Sequence, residues 1–143
     1  MTATTRDTPA GPGWRDVYRG VAMHVTNIED AEPFASTDGS IIREVAGRVS
    51  LPSSHQSLAE AMVPAGDATD EHYHPVAEEL YFILAGTGRL RMDGEQRDVR
   101  AGDCVLIVPG AIHKLFNTGD EPLRLLCCCA PPWQPGDTVL TED

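Results

Sequence analysis

The amino-acid sequence predicts an all-β domain of the sandwich or barrel type, preceded by a flexible arm. From about residue 21 onward, short runs rich in β-branched and aromatic residues alternate with turn signals at roughly 8–12-residue intervals. No stretch sustains an apolar period of about 3.6 residues over three turns, and residues 57–63 are the only short candidate for a helix. Residues 1–20 are rich in Thr, Pro, Gly and Asp, so we predict that they form the arm and that residues 21–143 form a single domain.

The predicted strands follow one another in chain order, each ended by turn residues. The runs are VAMHVTNI before STDGS, IIREVAGRVSL before PSS, SLAEAMV before PAG, LYFILA before GTG, RLRM before Asp93-Gly94, EQRDV after it, CVLIV before Pro109-Gly110, and LRLLCCC before Pro131-Pro132. The Asp-Gly pair is the strongest of these signals, because both residues of a tight hairpin turn need a positive φ. Arg89 and Arg91 alternate with Leu90 and Met92, which places both guanidinium groups on the outside.

Charge and cysteine content exclude several classes of function. The chain of 143 residues carries 22 acidic and 11 basic side chains, a formal net charge of -11, which argues against a nucleic-acid or anionic membrane partner. No apolar stretch approaches the roughly 18 residues of a membrane span. The N-terminal segment lacks the apolar core of a secretory signal, because Pro and Gly interrupt it. Three of the four cysteines are consecutive, at 127–129, so they do not form a disulfide framework. We therefore expect a cytoplasmic protein.

Two segments carry residues that suit a metal ion. His72 and His74 lie two residues apart on a predicted strand and therefore face the same side, and Glu79 can return to the same pocket after the intervening PVAE. In the second segment, His113 follows a Pro-Gly turn at the end of another buried strand. Three imidazoles and one carboxylate form a ligand set that suits Fe, Mn, Ni, Zn or Cu as divalent ions.

The same residues resemble the two sequence motifs of the cupin family. The first motif is matched at every fixed position and the second departs from the family at one, since Val108 stands where a proline is usual. The matching positions are Gly66, His72, His74, Glu79 and Gly86 in the first motif and Gly102, Gly110, His113 and Asn117 in the second. The resemblance covers roughly residues 45–131, with the motifs spanning 66–117. It implies a cupin-type double-stranded β-helix, or jelly-roll barrel, with His72, His74, Glu79 and His113 as ligands of one divalent metal.

Alternation along the strands suggests which other side chains line the cavity. If Glu79 faces inward, Tyr81 does too, either to hydrogen-bond a metal-bound ligand or to pack in the core. With Arg124 outside, Cys127 faces inward, as a substrate neighbour or as a small core residue.

On the strand at 57–63 and the residue before it, two phases are open. The first turns Gln56, Leu58, Glu60 and Met62 inward, and the second turns Ser57, Ala59, Ala61 and Val63 inward. In the first case Glu60 is a candidate general base and Gln56 a substrate contact, whereas in the second Glu60 is a surface group.

These residues predict a metal-dependent enzyme for a small-molecule substrate. Three histidines and one glutamate leave two of six octahedral positions open, which favours catalysis over a structural role. Our first hypothesis is a non-haem Fe²⁺ dioxygenase acting on a chelating metabolite, because the ligand set resembles that of cupin dioxygenases. The alternatives are a redox-neutral isomerase, lyase or decarboxylase with Mn²⁺, Zn²⁺ or Ni²⁺ (Cu²⁺ also fits the ligands), and a small-molecule binding protein without turnover. By analogy with small cupins we expect a homodimer.

Overall fold

The structure is a computed structural model that describes residues 23–48, 50–51 and 53–142. The predicted arm at 1–20 lies outside the described residues. Eleven strands and two short 3₁₀ turns are assigned in the described part. The strands are β1 (Phe34–Ala35), β2 (Ile41–Ala46), β3 (Ser57–Val63), β4 (His72–Tyr73), β5 (Glu78–Ala85), β6 (Thr87–Met92), β7 (Glu95–Arg100), β8 (Cys104–Ile107), β9 (His113–Asn117), β10 (Leu123–Ala130) and β11 (Val139–Leu140), and the 3₁₀ turns are Ile28–Asp30 and Pro135–Asp137.

The strands form two antiparallel sheets that face each other. The first sheet has six strands in the order β1-β2-β3-β10-β5-β8, and the second has five in the order β11-β4-β9-β6-β7. The chain crosses from one sheet to the other several times, as in a jelly roll. The predicted all-β jelly-roll fold is therefore confirmed, and residues 57–63, the one short helical competitor, form strand β3. Among the described residues, no helix is long and apolar enough to cross a membrane.

The hairpin predicted at Asp93-Gly94 is present. Asp93 has φ 48° and Gly94 has φ 86°, and the flanking residues Met92 and Glu95 pair with each other. A two-residue turn of this kind matches the right-handed twist of the strands that it joins. The hairpin sets the register of β6 and β7.

The first predicted run, 21–28, is not a strand over its described part. Residues 23–27 are irregular, and the Asn27 side chain accepts a hydrogen bond from the Glu29 backbone N–H at the start of a 3₁₀ turn. Asn favours such local hydrogen bonds over a sheet ladder, which explains why the run ends there. The strand that pairs with β2 is instead the short β1, on the other side of a turn at residues 36–40.

The core lies between the inner faces of the sheets. Its members alternate with exposed residues along the strands and are Ala61, Val63, Tyr81, Ile83, Leu90, Val99, Ile107, Ala111, Leu115, Leu123 and Leu125. Asn117 adds a buried polar clamp at the end of β9. Its amide N–H groups donate to the Val63 and Glu121 carbonyls at 3.0 and 2.7 Å, and its side-chain oxygen accepts from the Gly119 N–H at 2.9 Å. One end of the space between the sheets is left to polar side chains.

Candidate metal centre

Three histidines converge inside the barrel. His72 lies on β4, His74 follows it by two residues, and His113 begins β9, where it pairs directly with His72. The ring centroid of His72 is 4.2 Å from that of His113 and 5.0 Å from that of His74. One ligand atom of each of the three buried residues lies within 4.8 Å of the others, an arrangement that could hold a metal ion. The spacing predicted from the strand period thus brings the three imidazoles together.

Backbone carbonyls fix the orientation of each ring. The Nδ1 atoms of His72, His74 and His113 lie 2.7, 2.8 and 2.8 Å from carbonyl oxygens of Asp70, Asp137 and Ala111, respectively. A carbonyl only accepts, so Nδ1 carries the proton in each case. In the neutral ring Nε2 then has a free lone pair, which is the state required of a metal ligand.

Glu79 of β5 faces the same point from the opposite sheet. Its Oε1 is 3.4 Å from His74 Nε2 and 3.7 Å from His113 Nε2, while its Oε2 accepts from the Cys129 thiol at 3.1 Å. Glu79 Oε1 and His113 Nε2 are buried and have no hydrogen-bond partner among the residues that the structure describes. Buried polar atoms are nearly always paired, so two orphaned acceptors side by side fit a divalent cation.

The electrostatics of this cluster favour an ionised Glu79. Burial alone would raise the pKa of Glu79, but the adjacent imidazoles of His113 and His74 outweigh it and lower the pKa to about 2. Burial likewise opposes the charged form of His74, yet the adjacent carboxylate of Glu79 raises its pKa. Burial and the neighbouring His113 lower the pKa of His72. The cluster thus combines a permanent carboxylate with a His72 ring that stays neutral.

A second carboxylate reaches the cluster, and no motif in the sequence indicates it. Asp38 Oδ2 lies 3.6 Å from His72 Nε2, and Asp38 is buried beside the cavity. The segment STDGS, which contains Asp38, has the composition of a turn, and it does form one. The pairing of β1 with β2 places Asp38 beside the histidines, and the residue pattern does not predict that pairing.

Tyr81 and Cys127 line the cavity, as alternation predicted. The Tyr81 ring centroid is 5.9 Å from that of His113. Burial, followed by the charge of Glu79, raises the pKa of Tyr81 well above its usual value, and the same two causes raise the pKa of Cys127. Both groups are therefore protonated at neutral pH, so they can donate but do not act as anions.

Glu60 and Gln56 do not face the cavity, which corrects one of the two phases left open for β3. Ser57, Ala59, Ala61 and Val63 line it, whereas Gln56 is exposed. Glu60 lies on the outer face, where its Oε2 accepts from Arg124 at 2.6 Å. The physical reason is space and pairing. Small inward side chains on β3 leave room for the imidazoles, and the outward carboxylate meets a guanidinium on the neighbouring strand.

The cavity that these side chains line is small. Its volume is about 50 Å³, and Trp133 and Thr138 also line it. Since one water molecule has a share of about 30 Å³ in the liquid, the cavity suits a cation with a few waters or an anion of a few atoms. A drug-sized ligand, which needs at least about 300 Å³, does not fit.

Fold and site together define the class: a small jelly-roll protein with a three-histidine cluster and a glutamate inside its barrel. The family model for the cupin domain matches residues 59–129. The uncharacterized protein MJ1618 of Methanocaldococcus jannaschii is 42% identical over 117 residues, which are 82% of this chain and 94% of that one. The chain therefore belongs to the cupin family.

Two further proteins are similar to this chain. The oxalate-binding protein of Thermotoga maritima is 30% identical over 86 residues, covering 58% of this chain and 71% of that one. Among solved structures, the oxalate decarboxylase of Lactobacillus farciminis in its formate complex has a TM-score of 0.69 at 22% identity. That similarity covers 80% of this chain but only 35% of the decarboxylase chain, and it concerns the fold alone.

Proposed function

We propose that the protein is a metal-dependent enzyme whose divalent cation is held by His72, His74, His113 and Glu79. The observation that carries this proposal is the convergence of buried acceptors. Three imidazoles donate through Nδ1 to the backbone, and the Nε2 atoms of His74 and His113 lie 3.4 and 3.7 Å from the unpaired Oε1 of Glu79. A set of lone pairs facing one another without a donor is costly unless a cation lies among them.

The substrate class that suits the site is a small anion with oxygen donors. A bound cation of this kind supplies Lewis-acid polarisation of a carbonyl or carboxylate. The protein supplies a narrow cavity and the protonated hydroxyl of Tyr81, which can donate a hydrogen bond to a bound oxygen. The name of the Thermotoga maritima relative, oxalate-binding protein, supports a small carboxylate.

For the reaction we favour redox-neutral chemistry, namely a lyase or decarboxylase with Mn²⁺ or Zn²⁺. Cys127 and Cys129 line the same cavity as the histidines, so their thiols lie where an oxidant formed from dioxygen would be released. The second candidate is the Fe²⁺ dioxygenase predicted from the sequence. Its support is the ligand set itself, because three histidines and one glutamate leave two positions for a chelating substrate and dioxygen.

The experiment combines metal content with turnover of small carboxylates, oxalate first, in the presence and absence of dioxygen. Redox-neutral chemistry predicts product by NMR under anaerobic conditions with Mn²⁺ or Zn²⁺. Turnover that needs Fe²⁺ and consumes dioxygen would contradict the redox-neutral proposal and support the dioxygenase. Wild-type protein that fails to bind any of these metals would exclude both reactions. Glu79→Gln removes the carboxylate ligand, and Glu78→Gln, at the adjacent exposed position, is its matched control.

We also infer that the protein works in a reducing compartment such as the cytoplasm. The support is that Cys104, Cys127, Cys128 and Cys129 are all free thiols, including two that line the cavity. Thiol counting on protein taken directly from its native source, with four reduced cysteines per chain expected, tests this. A disulfide in that material would contradict it.

A further inference from the structure

We propose that Asp38 is a fifth protein ligand of the metal centre in the substrate-free protein, in addition to the three histidines and Glu79. The proposal rests on the metal site argued above and goes beyond it, because Asp38 lies outside both cupin motifs. It assigns a specific role to the turn between β1 and β2.

The two carboxylates lie at similar distances from the Nε2 atoms of the histidines. Ligands at about 2.1 Å around an octahedral cation lie about 3.0 Å from their nearest neighbours. Glu79 Oε1 is 3.4 and 3.7 Å from the Nε2 atoms of His74 and His113, and Asp38 Oδ2 is 3.6 Å from that of His72. The two carboxylates thus approach different histidines, so Asp38 can take a position that Glu79 leaves free.

Hydrogen bonds aim one oxygen of Asp38 at the centre. Oδ1 accepts from the Ser36 hydroxyl at 2.6 Å, from the Ser40 hydroxyl at 2.6 Å and from the Ser40 backbone N–H at 3.0 Å. Those three bonds use the lone pairs of Oδ1 and leave Oδ2 for a cation. The orientation is therefore set by the turn and does not depend on His72.

The turn is also tied to the strand that carries His72. The Asp70 backbone N–H donates to the Asp38 carbonyl at 2.7 Å, and the Asp70 carbonyl in turn accepts from His72 Nδ1. Since Nδ1 holds the proton, a neutral His72 turns a lone pair toward Asp38 Oδ2. Two acceptors that face each other at 3.6 Å are explained by a cation that both contact.

A fifth ligand changes what a substrate must do. With five protein donors, an octahedral cation has one open position. A small anion that bound through two oxygens would therefore have to displace Asp38 Oδ2, while Oδ1 would keep its hydrogen bonds with Ser36 and Ser40. Asp38 would help to hold the cation until substrate arrives.

The test uses Co²⁺, whose visible absorption reports coordination, and Mn²⁺ affinity by competition titration on the full chain. Asp38→Ala removes the donor, Asp38→Asn keeps the hydrogen bonds to Oδ1 and guards against misfolding, and Asp70→Asn is an exposed control with the same charge change. We expect at least tenfold weaker Mn²⁺ binding and an altered Co²⁺ spectrum for both Asp38 variants, with Asp70→Asn unchanged.

The outcomes separate this inference from the proposed function. If wild type binds no metal, the metal site itself is wrong. If wild type binds metal and the Asp38 variants keep its Co²⁺ spectrum, whatever their affinity, Asp38 is not a ligand and the inference is overturned.

Discussion

Replacing Glu79 with Gln should change how the stability of the metal-free protein depends on pH. Glu79 is buried, and the adjacent imidazoles of His113 and His74 outweigh the cost of burial to lower its pKa from 4.5 to about 2. The folded state therefore releases this proton more readily than the unfolded state does. Stability from Glu79 is present above about pH 4.5 and is lost as the pH falls toward 2.

The size of the effect follows from that difference in pKa. The pKa of Glu79 differs by about 2.5 between the unfolded and folded states, and each pKa unit corresponds to about 1.4 kcal/mol. Glu79 therefore contributes on the order of 3 kcal/mol to the free energy of unfolding at neutral pH. Roughly 2 kcal/mol of that is lost by pH 3, where the unfolded carboxyl is protonated and the folded one is mostly ionised.

The assay is urea unfolding of chelator-treated protein between pH 7 and pH 3, for wild type and for two variants. Glu79→Gln should lose less stability than wild type over this range, by about 2 kcal/mol. Glu78→Gln, at the adjacent exposed position, should follow wild type. If Glu79→Gln and wild type lose stability in parallel, the carboxylate is not held ionised by the histidines, and the electrostatic description of the centre is wrong.

Three further predictions concern the site and its support. His72→Ala and His113→Ala should each reduce metal content, measured by elemental analysis, from one ion per chain to nearly none while circular dichroism still shows a β protein; full occupancy in both would contradict the ligand assignment. Glu60→Gln should leave metal content and turnover unchanged and lower stability by at most about 1 kcal/mol, because its partner Arg124 is half exposed; a large loss of turnover would return Glu60 to the cavity. Asn117→Ala should cost about 2–3 kcal/mol in urea unfolding, since it removes one buried and two part-buried hydrogen bonds, and a loss below 1 kcal/mol would refute the clamp.

Local pattern was sufficient for the all-β class and for the pairing of His72 with His74, whereas the convergence of His113 followed from the resemblance to the cupin motifs. Strand period alone places His72 and His74 on one side, and turn chemistry at Asp93-Gly94 fixes a hairpin that the structure contains. Tyr81 and Cys127 follow from the same alternation once one inward residue is known. These features depend on neighbours within a few residues, which the sequence displays directly.

The phase of β3 and the role of Asp38 depend on distant residues, and they could not be predicted. Both faces of SLAEAMV contain apolar side chains, so the choice depends on Arg124, which lies 64 positions from Glu60 and pairs with it across strands. Asp38 meets His72 only because β1 folds back onto β2 and the turn hydrogen-bonds to Asp70. Both contacts depend on strand pairing between residues that are distant in the sequence, which local composition does not indicate.

The hydrogen bonds from the three imidazoles end on main-chain oxygens, and this has a consequence for how the protein can change. A peptide oxygen is present whatever residue bears it, so substitutions at 70 and 111 that preserve the strand path leave the rings of His72 and His113 aimed as they are. The aim of the donors is thereby separated from the identity of the surrounding side chains. Ser57, Ala59 and Ala61 could be exchanged to reshape the chamber for other anions without retuning the imidazoles.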